Sequence, residues 1–246
     1  MSLQACANLV ARADPERFAA AMSARLQARN VLLPIYAAAA EVSRAPWMTK
    51  EPVIAEMRLQ WWRDALDEIK EGKCRRHEIV DALAQVLTLK GAEALDKMIL
   101  ARRWDIYKQG FESPEVLLEH VRDITLGPLI AALDGLGHLP NDIKAVENLA
   151  KQVGLARFLR GVSTLIELKV PVWSSDNKVL IYSDLCKEAL SLSSPEITSP
   201  ALIESANCKR VLQFVLRNPG SVEIGAIPAF PITQAFSRML VAWRCN

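Results

Sequence analysis

The sequence lacks most of the features that announce a particular chemistry. It has three histidines (His77, His120, His138), on different elements and without the H-x-x-x-H spacing of a helical zinc site. Its five cysteines (Cys6, Cys74, Cys186, Cys208, Cys245) are scattered and form no C-x-x-C pair. That usage excludes a disulfide framework and a zinc knuckle and points to reduced thiols in a cytoplasmic setting. No Gly-rich phosphate loop and no G-x-S-x-G is present. The net charge of +2 is too small to imply a nucleic-acid partner. The longest greasy stretch, LGPLIAALDGLG, is broken by Pro128 and Asp134 and falls short of the ~20 apolar residues a bilayer span needs. The opening MSLQACANLVARADPERF lacks a basic segment followed by an apolar run, so no secretory signal is expected. Convincing period-two strands are absent too.

What is present is apolar and helical. Hydrophobic residues make up 51% of the 246 positions, and the mean hydropathy is +0.11. Those values suit a large interior, an apolar cavity or contact with a membrane surface. The periodicity predicts helices over Pro15–Ala28, Val31–Ser43, Pro52–Glu71, Glu78–Leu89, Ala92–Gln109, Pro114–Gly137, Asp142–Leu168, Asp184–Ser191, Pro200–Arg217 and Pro228–Trp243. Asp14-Pro15 reads as an N-cap followed by proline at the first helical position, and Ser113-Pro114 opens a helix in a similar way. Gly127-Pro128 predicts a kink, either at the wall of a cavity or where two helices pack. With no linker or repeat, residues 1–246 read as one all-α domain.

RLQWWRDALDEI, Arg58 to Ile69, combines paired tryptophans with three carboxylates. On a helical wheel Leu59, Trp62, Leu66 and Ile69 share one stripe, which is a core face. Asp64, Asp67, Glu68 and Glu71 gather opposite it, as a solvated face would. Arg63 and Lys70 are both placed to pair with Asp67. Trp61 flanks the acids and is not needed by the stripe, which makes it a candidate cavity- or partner-facing aromatic. Elsewhere, Glu119 and Asp123 sit one turn apart and could present oxygens to a cation, although Arg122 between them favours a surface ion-paired patch. Asp105 follows Arg102 and Arg103 and is expected to be ion-paired. Arg157 and Arg160, also one turn apart, could hold a phosphate or an acidic partner, against the plainer reading of surface arginines.

The order of these pieces resembles the squalene/phytoene synthase family. DPERF, LLPIYAAAAEVSR, EPVIAEMRLQWWRDALD, ARRWDIY, LLEHVRDITLGPLIAALDGLG, VGLARFLRGV and NKVLIYSDL follow one another over most of the chain. The run from Glu51 to Leu66 is the most specific, and it resembles the branch found in alphaproteobacteria and in a mitochondrial complex I assembly factor. The resemblance implies an all-α prenyl-synthase fold around a central cavity. Active members join two prenyl diphosphates head to head, using magnesium held by two aspartate-rich motifs. By the same resemblance, Tyr36 precedes the first motif and is, with Trp61, a candidate cavity- or partner-facing residue. Here Ser43, Arg44 and Trp47 stand roughly where its aspartates would be, and Glu41 is the only acid nearby. In the second motif Arg160 is kept, Gly161 replaces the aspartate and Gly154 falls near a glutamine position. Lys178 keeps a positive charge further on.

These departures predict a non-catalytic relative without a cofactor, binding an isoprenoid or other lipid, or serving respiratory complex I assembly beside complex subunits. Such a protein would be cytoplasmic, with peripheral contact to the inner membrane. The alternative is an active Mg²⁺-dependent prenyl transferase using substitute ligands, Glu41 with Asp64 or Glu119 with Asp123. A helical interaction module without a ligand is a third reading.

Overall fold

In the computed structural model the described residues are 2–174, 179–229, 235, 238–240 and 242–243. They form helices α1 (Ser2–Ala13), α2 (Pro15–Ser23), α3 (Leu26–Arg44), α4 (Pro52–Lys70), α5 (Glu78–Leu83), α6 (Leu89–Arg102), α7 (Trp104–Tyr107), α8 (Pro114–Gly135), α9 (Lys144–Glu167), α10 (Val179–Ser191) and α11 (Cys208–Arg217). Short 3-10 turns at Ala45–Trp47, Pro200–Ser205 and Pro219–Ser221 join them. Phe111 and Trp173 make an isolated parallel bridge, and no strand occurs among the described residues. The all-α expectation holds.

The caps read from the sequence are in place. The Asp14 carboxylate accepts from the Arg17 amide at 2.9 Å with Pro15 next in line, and Ser113 caps α8 ahead of Pro114. Leu59, Trp62 and Leu66 are buried and Ile69 is half-buried, so the stripe on α4 is a core face. α8 continues through Pro128 as one helix. Its neighbour Gly127 explains the sequence there, because a Cβ at Gly127 would lie 2.7 Å from the carbonyl oxygen of Ala94 on α6. Gly127 is thus where α6 and α8 pack closely.

Several elements differ from expectation. α1 had no predicted counterpart, yet Cys6 and Val10 bury one face of it completely. The predicted helix Glu78–Leu89 stops at Leu83, and Thr88 starts α6 by accepting from the Gly91 amide at 3.0 Å. α6 and α7 divide the predicted Ala92–Gln109, and Lys108 ends α7 in the left-handed region at φ 52°. The predicted Pro200–Arg217 helix is a 3-10 turn followed by α11, with the break at Ala206-Asn207, a segment rich in residues that favour turns. The predicted Pro228–Trp243 helix falls largely outside the described residues. No helix among the described residues is long and apolar enough to cross a membrane.

Candidate functional site

The helices close around a cavity of about 520 Å³, within the ~300–1,000 Å³ range of pockets that engulf a small ligand. Its apolar wall is aromatic on one side. Trp104 stacks on Phe111 with ring centres 4.0 Å apart, and Phe158 meets Phe111 edge-on at 5.7 Å. The bridge to the segment after α9 fixes this wall, with the Phe111 amide donating to the Val172 carbonyl at 2.9 Å. Ile124, Leu165 and Val172 complete the greasy lining.

One end of the cavity is ionic. Arg17 of α2 and Arg157 of α9 both reach Glu204 Oε2, from 2.7 and 2.8 Å. The Glu204 side chain is 2% exposed, so this is a buried ion cluster. Asp14 joins it. Burial would raise the Asp14 carboxyl, but Arg157 and Arg17 outweigh burial and hold it below the ordinary carboxylate range. Glu204 is held down by the same two arginines against its own desolvation. Arg17 also lies over the Tyr36 ring, 5.1 Å from its centre. Tyr36 is fully buried behind the cluster, and burial followed by the charge of Glu204 pushes its phenol well up.

A second ionic group lines the wall. Arg102 donates to Asp105 at 2.8 Å, and His120 Nε2 stands 3.8 Å from the same carboxylate. Burial dominates at His120 and brings its imidazole down to about 4, despite the opposing pull of Asp105, so it is neutral at pH 7. At the mouth, Lys108 Nζ sits 4.8 Å from the centre of the Trp47 ring. Ser43 and Gly161 also face the cavity. The Ser43 hydroxyl is turned back into its own helix, donating to the Ala39 carbonyl at 2.7 Å.

The residues singled out from the sequence are distributed unevenly around this centre. Arg157 lines it, as a half-buried partner of the buried Glu204 rather than a free surface arginine. Arg160 pairs with Glu16 on α2. Glu41 pairs with Arg44 at 2.9 Å, and Asp64 accepts from Gln60 at 2.7 Å. Glu119 and Asp123 both bind Arg122, and Glu119 also holds Lys151 at 2.8 Å. Trp61 does not line the central cavity. It floors a separate outer groove with Met48, Ile54, Met57 and Glu41, and Arg75 covers its ring at 4.9 Å. Lys178 lies outside the described residues. Arg63 pairs with Asp96 of α6 at 2.6 Å instead of with Asp67, because the neighbouring helix brings a closer carboxylate; Lys70 does take Asp67. Sequence reasoning missed Arg17, Glu204, Lys108 and Phe111. The DPERF stretch was the available signal for Arg17; nothing local marked Glu204.

A bundle of helices closed around an apolar cavity with an ionic end belongs to the isoprenoid synthase class of fold. A dehydrosqualene synthase in complex with ligand superposes with a TM-score of 0.73 at 13% identity, covering 99% of this chain and 95% of that one. Squalene synthase HpnC from Alicyclobacillus acidocaldarius gives 0.63 at 13% identity, covering 99% and 91%. The chain belongs to the squalene/phytoene synthase family, whose model matches residues 10–216. Among curated proteins it is similar to the NADH dehydrogenase (ubiquinone) complex I, assembly factor 6 homolog of Drosophila melanogaster, 28% identical over 166 residues, or 64% of this chain and 49% of that protein. The homolog of the same name in Dictyostelium discoideum is 28% identical over 138 residues, 54% of this chain and 39% of that protein. The chain thus spans half or less of the length of these curated relatives.

Proposed function

We propose that this chain is a divergent, non-catalytic member of its family, which holds an isoprenoid or other lipid in the central cavity and serves the assembly of respiratory complex I. The observation that carries the reading is the state of the cavity's carboxylates. Asp14 and Asp105 line it, and each is already held by the chain's own arginines. Magnesium demands near-octahedral oxygen ligation and is commonly seated by carboxylates together with substrate phosphates. This donor set does not suit it. Among the described residues no three His, Cys, Asp or Glu side chains gather as a metal seat would require. Glu41, Asp64, Glu119 and Asp123 are each engaged in pairs outside the cavity lining. The names of the curated relatives support the complex I part of the proposal. Peripheral contact with the inner membrane, from the cytoplasm, belongs to the same reading. Trp47, Met48, Val53, Ile54 and Met57 give it an exposed apolar surface to use.

The test has two arms. Incubating the protein with labelled farnesyl or geranylgeranyl diphosphate and Mg²⁺ should yield no coupled hydrocarbon. Deleting the gene should lower the amount of assembled complex I on native gels, with the other respiratory complexes spared. Turnover abolished by substituting any of those four acids would establish the active prenyl transferase instead.

A further inference from the structure

The charges around the cavity are almost completely matched from within. Asp14 and Glu204 answer Arg17 and Arg157, and Asp105 answers Arg102. His120 is neutral. Among the cavity-lining cations, Lys108 has no carboxylate partner within the described residues, only the face of Trp47. Among the described residues the cavity therefore offers a ligand one uncompensated positive charge, and that charge stands beside Trp47, which is exposed and with Ser43, Asp14 and Arg17 also borders a second cleft.

This balance selects among ligands. A diphosphate trianion in a low-dielectric cavity would find one free cation and would leave most of its charge unpaired, which is strongly unfavourable. Arg17 and Arg157 could turn their remaining N–H groups to it, but their charge is already balanced by Asp14 and Glu204, so the added charge would stay uncompensated. An uncharged ligand would gain the apolar wall but nothing from Lys108. A single negative charge completes the balance, while an apolar tail lies along Phe158, Leu165 and the stacked Trp104–Phe111 pair. A mouth-side lysine with an apolar tail slot behind it suits an amphiphile that enters tail first.

We propose that the cavity takes a single-chain amphiphile carrying one negative charge, its head held by Lys108 at the mouth and its tail buried against Phe111, Phe158 and Leu165. This rests on the reading of the cavity as a lipid site and narrows it to a ligand class.

Three probes with one tail and different heads test it on the full chain: farnesol, farnesoic acid and farnesyl diphosphate, titrated calorimetrically without divalent metal. Farnesoic acid should bind about tenfold or more tightly than either of the others. Lys108→Gln should reduce its affinity to that of farnesol, and Lys108→Arg should keep it. Thermal melts of both variants check that the fold is retained. Equal or tighter binding of the diphosphate, equal binding of acid and alcohol, or an unchanged affinity in Lys108→Gln would overturn the proposal and leave lipid binding itself standing. If none of the three probes binds, the lipid-site reading fails and takes this inference with it.

Discussion

Two regions of this molecule carry both aromatics and charges, and they are built differently. Around Glu204, two arginines and a second carboxylate converge from the start of α2, from α9 and from the 3-10 turn at Pro200–Ser205; Glu204 and Arg17 are 2% and 8% exposed, while Arg157 and Asp14 are about a quarter exposed. Around Trp61, on the outer side of α4, the charges face solvent: Asp67 with Lys70, Glu68 with Arg75 and Arg63 with Asp96. The interior cluster ties together segments 187 and 47 residues apart, whereas Lys70–Asp67 and Arg75–Glu68 are local. Desolvation makes the interior pairs costly to form and more costly to break singly. Surface pairs gain little and lose little. A loss of charge should therefore matter in proportion to burial, and the two regions allow that to be measured within one fold.

The largest effect is expected at Glu204. Replacing it with alanine leaves Arg17 and Arg157 with Asp14 and, beside Arg157, Glu16 as the remaining nearby acids. A loss of about 3–5 kcal/mol is expected in urea unfolding. A loss below about 1 kcal/mol would mean that water reaches the cluster and that the contrast with α4 is only apparent.

His120 gives the next effect, through pH. Its folded imidazole lies at about 4 because burial disfavours the charged form, against an ordinary value near 6.5 in the unfolded chain. The unfolded chain therefore takes up this proton first as the medium is acidified. Stability is full above about 6.5 and is lost as pH falls toward 4, by up to about 3 kcal/mol. Asp14 and Glu204, held below the usual carboxylate range, add acid lability at lower pH, with the same sign. Thermal melts between pH 7 and 4.5 should show the decline, and His120→Gln should flatten its upper part. An unchanged slope in the variant would assign the acid lability to the carboxylates alone.

The same contrast explains what could be read from the sequence. The α4 stripe, the Asp14 and Ser113 caps and most of the helical spans follow from local spacing, and local spacing survives folding. α1 was missed although Cys6 and Val10 repeat at helical spacing, because two buried positions are a short pattern. The break after Ser205 was not legible, because there turn-forming residues compete with an otherwise helical pattern. The site was harder. Arg157 has no acidic neighbour in sequence that reveals a burial site, and its partner Glu204 lies 47 residues on. Arg17 and Glu204 are 187 residues apart. The wheel set Trp61 apart from the core stripe, yet its ring packs edge-on against Trp62, and a wheel does not say whether the remaining face meets the cavity or an outer groove.

A pair of glycines on α9 sharpens the comparison without charge. A Cβ at Gly154 would run into the backbone of α8 at Val121 and into Thr125, whereas a Cβ at Gly161 would meet nothing within 4 Å. Gly154→Ala should cost about 1–3 kcal/mol through overpacking. Gly161→Ala should instead stabilise by up to about 1 kcal/mol through helix propensity. Equal effects in chemical denaturation would mean that α8 can move away from α9.

The smallest effect is expected on the outer face. Arg63 reaches Asp96 with two hydrogen bonds, at 2.6 and 3.2 Å, and links α4 to α6. Its geometry is as good as that of the Arg17–Glu204 pair, yet both its side chains are a quarter to a third exposed, against 8% and 2% there. If burial rather than geometry sets the worth of an ion pair here, Asp96→Asn should change stability by no more than about 1 kcal/mol. The remaining difference should shrink further in high salt, which screens exposed charges far more than the Glu204 cluster. A cost that approaches that of Glu204→Ala, or one that ignores salt, would show that the α4–α6 contact is electrostatically part of the interior and that the outer face is not a separate region.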